Sequence, residues 1–333
     1  MMTNSTFKKS EYEKEKKVVI EEMIKSNDNP EEVINDISDK MVFAGTSYED
    51  PIDTLEYHRN NALPYDTVME MYRGFYRPSR FVMSIVSHIP FTKIKDCIRD
   101  SFFMHVPPCS TVYDPSRFFV KNILNPQSAI QYRIEKKKGV HATYLRITFR
   151  TCNHSSPDRH ILALLASLVG GPTSSRMFSI LRGENGLTYT SSCLYNNYEG
   201  CGEFGFYTMA NSDKMIKNGS KSGVLPLIMK LIHDLNVNGV TDDEIHHTKG
   251  YLRGMLTMNL EDASVQCRYN GDHMIVHRKE PILYDQQYEK LYSRITKSEI
   301  HRVIRQYFIP KNMSIVLLGE NVPSLEKVKK VVE

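Results

Sequence analysis

Apolar residues along the chain fall into helical and strand-like registers, and breaks rich in proline and glycine separate them. From about Tyr12 to Ile24 a charged stretch carries a single apolar arc, which predicts a helix, and Asn27-Asp28-Asn29-Pro30 interrupts it. A second helix is expected from about Pro30 to Val42. After a loop with Gly45 and Pro51, a third opens at Pro64-Tyr65-Asp66 and carries Met69, Met71 and Tyr72. Phe81 to Val86 is a β-branched and apolar run, the pattern of a buried strand. Pro107, Pro108, Pro115 and Pro126 then break any regular period, which marks a linker.

A second unit is expected from near Ser128. Ile130 to Ile134 and Ala142 to Thr151 read as strands paired around a Lys136-Lys137-Lys138-Gly139 turn. Arg159 to Val169 reads as an apolar helix stopped by Gly170-Gly171-Pro172, and Ser174 to Arg182 as a further helix ended near Gly186. Leu187 to Tyr195 and Glu203 to Met209 form an expected hairpin. Helices are predicted at Val224 to Val237, Asp242 to Asn259, near Gln287 to Leu291 and at Ser298 to Tyr307, with a strand at Met313 to Leu318.

The chain also repeats itself. Phe75-Tyr76-Arg77-Pro78 and the apolar run behind it parallel Tyr307-Phe308-Ile309-Pro310 and its strand, and this offset sets the opening helix opposite the one near Glu244. The expected fold is therefore α+β, with two related units that are each a sheet covered by helices. Residues 1–104 form the later half of the first unit, 105–127 the linker and 128–333 the complete second unit. The stretch from about Ser128 to Ile232 has no counterpart in the first copy, which would begin about a hundred residues before Met1.

At 333 residues and 41% hydrophobic, the chain can bury a core and is long enough for about two domains. The net charge of +4 is spread over 43 basic and 39 acidic residues, so no concentrated basic footprint argues for nucleic acid. The Lys136–Lys138 run is read as a solvated turn. Six cysteines without a CxxC pair fit reduced thiols, and a cytoplasmic location is expected. No membrane segment is expected: Met1 to Lys9 is polar, and Ile161 to Val169 is too short to span.

For chemistry, Glu15 and Glu22 stand seven positions apart, so both project to one edge of the apolar arc between Val18 and Val19. By themselves they read as two partly solvated carboxylates, and Glu21 as the partner of Lys17 and Lys25 on an exposed face. His273-Met274-Ile275-Val276-His277 has two imidazoles at helical spacing, but a valine cannot move a proton. That pair reads as surface or packing histidines, and His246-His247 as a solvated helix turn.

Two stretches carry a family resemblance. Glu15-Lys16-Lys17-Val18-Val19-Ile20-Glu21-Glu22 with the Asp28-Asn29-Pro30 break resembles the third-ligand helix of pitrilysin/insulinase zinc peptidases, a family that includes mitochondrial-processing-peptidase-like members. Gly170-Gly171-Pro172-Thr173-Ser174-Ser175-Arg176-Met177-Phe178, then Arg182 to Tyr189, is similar to that family's Gly-x-x-Ser-Ser-Arg-apolar-Phe and Arg-x-x-x-Gly-Leu-x-Tyr pattern. The resemblance implies zinc as the metal and a peptide as substrate. It implies Glu22 as a zinc ligand, Glu15 as its supporting acid, and Arg182 with Tyr189, on the following strand, as substrate-binding groups.

One departure changes the expected activity. This chain contains no His-x-x-Glu-His, the segment that supplies two imidazoles and a general base in the family. The chain alone is expected to hold no stoichiometric zinc and to cut no peptide, with the missing segment lying upstream or in a second subunit. The alternative is a non-catalytic partner or scaffold subunit of the same fold.

Overall fold

The computed structural model describes residues 5–49, 64–77, 80–101, 124 and 126–333. The chain divides into two compact units that interleave in sequence. The first takes Met1–Ser26, Ile52–Val120 and Thr257–Asp285; the second takes Asn27–Pro51, Lys121–Leu256 and Gln286–Glu333. Apart from residues 124, 126 and 127, the expected 105–127 linker lies outside the described residues.

The second unit is built on a five-stranded sheet of β1 (Gln131–Lys136), β2 (Ala142–Thr151), β3 (Ser191–Asn197), β4 (Gly202–Asn211) and β5 (Met313–Gly319). The strand order is β1-β5-β2-β4-β3. This corrects the expected pairing of β1 with β2. β5, the apolar run MSIVLLG, is buried along its whole length, so it needs a neighbour on each edge. It lies parallel to β1 and antiparallel to β2, and so separates two strands that follow each other in sequence. The β3–β4 hairpin is antiparallel as expected.

Alternation along β2 and β4 assigns the two faces. Leu145, Ile147, Phe149, Phe204 and Phe206 enter the main core. That core is closed by helices α5 (Asp158–Gly170), α6 (Val224–Val237) and α9 (Lys297–Tyr307). α6 occupies its predicted span, and α9 starts with the capping box of Thr296 and Glu299. On the other face lies α2 (Pro30–Val42), capped by the Asn29 side chain on the Glu31 amide and packed through Ile34 against Tyr207, Val316 and Leu318.

In the first unit the described elements are helical. They are α1 (Lys9–Asp28), whose last two residues are counted with the second unit, α3 (Tyr65–Phe75), α4 (Phe91–Arg99) and α8 (Ala263–His277). α7 (Asp242–Asn259), predicted at its observed bounds, ends in this unit. α3 meets the chain start through Phe7 on Tyr72, with ring centroids 4.6 Å apart, and through Tyr65 Oη, which donates to the Phe7 carbonyl at 2.6 Å. Among the described residues, 81–87 have no strand partner, and Val82, Met83 and Ile85 are exposed. Among the described residues of this unit there is no strand, so the expected sheet of the first unit is not seen there. Pro78, the landmark of the repeat, lies outside the described residues.

Among the described residues no helix is long and apolar enough to cross a membrane.

Candidate functional site

Behind α5 the chain passes Gly170-Gly171-Pro172, forms one α turn at Arg176–Phe178 and widens into a π turn at Ser179–Glu184. The expected single helix is thus split, and π turns are often found where a side chain is re-aimed. Arg182 lies in the π turn. Gly186, at φ +58°, reverses the chain, and the Leu187 amide donates to the Leu181 carbonyl at 2.8 Å. Leu187 and Thr188 are then buried, which fixes the direction of the next residue.

That residue is Tyr189, 76% exposed. It precedes β3 by two positions, a correction to its expected place on the strand. The Arg182 guanidinium carbon lies 4.8 Å from the Tyr189 ring centre and 5.2 Å from the Phe178 ring centre. Its Nη1 also donates to the Tyr189 carbonyl at 3.2 Å. An exposed cation thereby lies within cation–π distance of two rings, one of which carries a phenol hydroxyl. Such a pair donates hydrogen bonds and suits an oxygen that carries or develops negative charge. Sequence reasoning found Arg182 and Tyr189 and missed Phe178, whose part depends on the π turn.

The loop ahead of this site is held by Arg176. Its Nε donates to Glu244 at 2.5 Å, Nη1 to Asp234 at 3.0 Å and Nη2 to the Gly239 carbonyl at 2.9 Å. The Ser-Ser-Arg signature thus contains a clamp from the loop to the start of α7.

Glu15 and Glu22 lie on α1, and both carboxylates are exposed. α1 has no buried residue, so the apolar arc they border is itself open, with Val18 at 49% exposure. Among the described residues no group of three His, Cys, Asp or Glu side chains is arranged to hold a metal ion. Glu22 with its neighbours therefore does not by itself fit zinc, which takes three or four protein ligands. The His273 and His277 rings on α8 have centroids 4.6 Å apart with planes tilted by 53°, and the exposed Val276 stands between them in sequence.

Comparison with known proteins agrees on one family. Residues 62–252 match the family described as Peptidase M16 inactive domain. The chain is 24% identical over 331 residues to YmxG of Bacillus subtilis, named an uncharacterized zinc protease, covering 97% of this chain and 75% of that protein. A second relative with that description, from Streptomyces coelicolor, is 22% identical over 272 residues, which is 79% of this chain and 55% of that protein. The fold of a protease from Helicobacter pylori superposes with a TM-score of 0.80 at 18% identity, over 93% of this chain and 72% of that one.

Proposed function

We propose, from the fact that this chain belongs to the M16 peptidase family, the pitrilysin and insulinase group, that it holds peptide for a zinc peptidase and does not cut peptide bonds by itself. The observation that carries this reading is the Arg182–Tyr189 pair, fixed and exposed at the end of the π turn. In this reading Arg182 and Tyr189 donate to a substrate carbonyl oxygen. Their rigidity matters because a donor that is already positioned loses no freedom when charge develops.

Glu22 is assigned as one anionic zinc ligand and Glu15 as the acid that supports it; the relatives' description as zinc proteases supports zinc as the metal. When bound in a complete site, zinc supplies an activated water and polarises the carbonyl. The two imidazoles and the general base are absent from this sequence. They come from a second polypeptide segment that carries His-x-x-Glu-His.

The test is peptide binding by the purified chain, followed by fluorescence anisotropy with a labelled unfolded peptide. Replacement Arg182→Ala is expected to weaken binding about tenfold, the effect of losing roughly 1.4 kcal/mol of charged hydrogen bonding. Unchanged affinity would remove the assignment. Chelator-sensitive digestion by the chain alone would end the claim that it does not cut.

The alternative is a purely non-catalytic subunit. It is favoured by the description of the matched family as an inactive domain. Mixing with a His-x-x-Glu-His-bearing partner separates the two readings: hydrolysis sensitive to Glu22→Gln supports the first, and hydrolysis indifferent to it supports the second.

A further inference from the structure

One peptide unit in the turn between α6 and α7 is gripped at both ends. The Val240 amide donates to His301 Nε2 on α9 at 3.1 Å, and the Gly239 carbonyl accepts from Arg176 Nη2 at 2.9 Å. We propose that His301 is a pH-sensitive latch: its neutral ring holds this peptide unit in place for Arg176, and protonation releases both bonds.

The donor fixes the protonation state. A backbone N–H can only donate, so Nε2 must offer a lone pair and the neutral ring carries its proton on Nδ1. There is little slack in the contact, because a Cβ added to Gly239 would collide with Nε2, Cδ2 and Cε1 of the ring. A proton placed on Nε2 would set one N–H against another. Val240 is 1% exposed and Gly239 is buried, so an amide deprived of this acceptor must turn to find another partner. The peptide group is planar, and its carbonyl turns with it, away from Arg176.

Arg176 gives the turn its reach. It clamps the loop behind α5 that leads into the π turn of Arg182, and its other bonds run to Asp234 and Glu244, which flank the same turn. The ionisable groups on the elements packed here are mostly engaged. Asp234 and Glu244 are held by Arg176, Asp242 by Lys297, Asp158 on α5 by Arg302, and Glu299 by the Thr296 cap. His233 on α6, Asp243 on α7 and Arg305 on α9 are exposed. Histidine is the side chain that changes charge between about pH 5 and pH 8, and His301 is the histidine bonded to the turn. The latched turn needs the unprotonated nitrogen and the released turn does not, so the latch is complete at the upper end of that range and is lost as pH falls.

Hydrogen exchange read by NMR on the whole chain, corrected for intrinsic rates, tests the latch. From about pH 8 to pH 5, protection of the Val240 amide should fall about tenfold, the worth of the two bonds of that peptide unit. The Arg176 Nε–H should lose protection with it, while the amides of β5 keep theirs. The His301 ring nitrogens should titrate with the same midpoint. His301→Gln, whose carbonyl can accept the bond without titrating, should hold Val240 protection level across the range. A flat profile in the parent, an equal loss in β5, or a slope that survives in His301→Gln would overturn the proposal. The step from latch to function rests on the reading of Arg182 and Tyr189 as peptide donors: affinity for the labelled unfolded peptide should fall several-fold on acidification in the parent and stay level in His301→Gln. Affinity that ignores pH beside a working latch would remove that step. No peptide binding at any pH, with the exchange result intact, would sink the peptidase reading and leave the latch.

Discussion

Gly170 has no side chain because β3 leaves no room for one. A Cβ built there falls 2.3 Å from the Cys193 amide nitrogen and 2.7 Å from its sulfur, and backbone cannot yield cheaply. Gly170→Ala is therefore expected to cost about 1–3 kcal/mol through overpacking, read as a lower urea midpoint. From sequence this glycine reads as a helix stop, and it is one: α5 ends there. The contact with Cys193 belongs to tertiary structure and leaves no mark in the local pattern. Tyr189 makes a contrasting case. Tyr189→Phe keeps the ring that stacks on Arg182 and removes only an exposed hydroxyl. It should leave the melting temperature within about 1 kcal/mol of stability change, while lowering peptide affinity if the phenol meets the substrate. A loss of stability with no loss of affinity would assign Tyr189 to packing.

At the level of elements, α2 is docked on the sheet by a buried charge network. Alternation in β2 sends Arg146 to the face opposite Leu145 and Ile147, where its side chain is 3% exposed. Its Nη2 donates to Glu203 at 2.6 Å and to Asp39 at 3.1 Å, and its Nη1 donates to Asn35 at 2.7 Å. Removing Arg146 leaves Glu203 charged, unpaired and buried, so Arg146→Met should cost about 3–5 kcal/mol. Adding Glu203→Leu should return much of that loss. Asp39 gives the network a pH dependence. Burial pushes its carboxyl up to about 6 despite the pull of Arg146, and the charges of Glu203 and Asp36 add to the push. A raised acid pKa means that the docked state holds the proton more tightly than the undocked one. Docking is then most stable below the ordinary value of 3.8 and weakens as pH rises through about 6. Hydrogen exchange of α2 amides, corrected for intrinsic rates, should show protection falling between about pH 4 and pH 6 and levelling off above that, and Asp39→Asn should flatten the slope.

The same level shows what the pattern could reveal. α2 is legible because its Asn29 cap agrees with its helical period, and α6 and α7 because their helical period is sustained over 14 and 18 residues. α8 is not legible because its apolar residues follow no helical period: Met274, Ile275 and Val276 are consecutive and all exposed. The β1–β2 hairpin was misread because adjacency in sequence favours pairing, while the burial demand of β5 decided the order.

For the whole molecule, the two units differ in how they bury apolar surface. Among the described residues, all three clusters of buried hydrophobic residues lie in the second unit. In the first, α1, α4 and α8 have no buried residue and α3 has only Gly74. Its apolar side chains face outward along one stretch, where Val82, Met83, Ile85 and Ile89 are 42–51% exposed and Phe91 is 75% exposed. Hydrophobic burial is the main favourable term in folding, so the units should not unfold together. Heating is expected to give an early transition that loses protection in α1, α3, α4 and α8, and a later cooperative one that melts the five-stranded sheet. The early form should bind a hydrophobic dye, and Ile85→Lys with Phe91→Glu should reduce that signal without moving the second transition. A polypeptide bearing His-x-x-Glu-His that engages the first unit should raise the early transition toward the later one, because ligand binding stabilises the folded form by mass action. A single transition with no dye binding in the isolated chain would mean that the exposed apolar stretch is already covered.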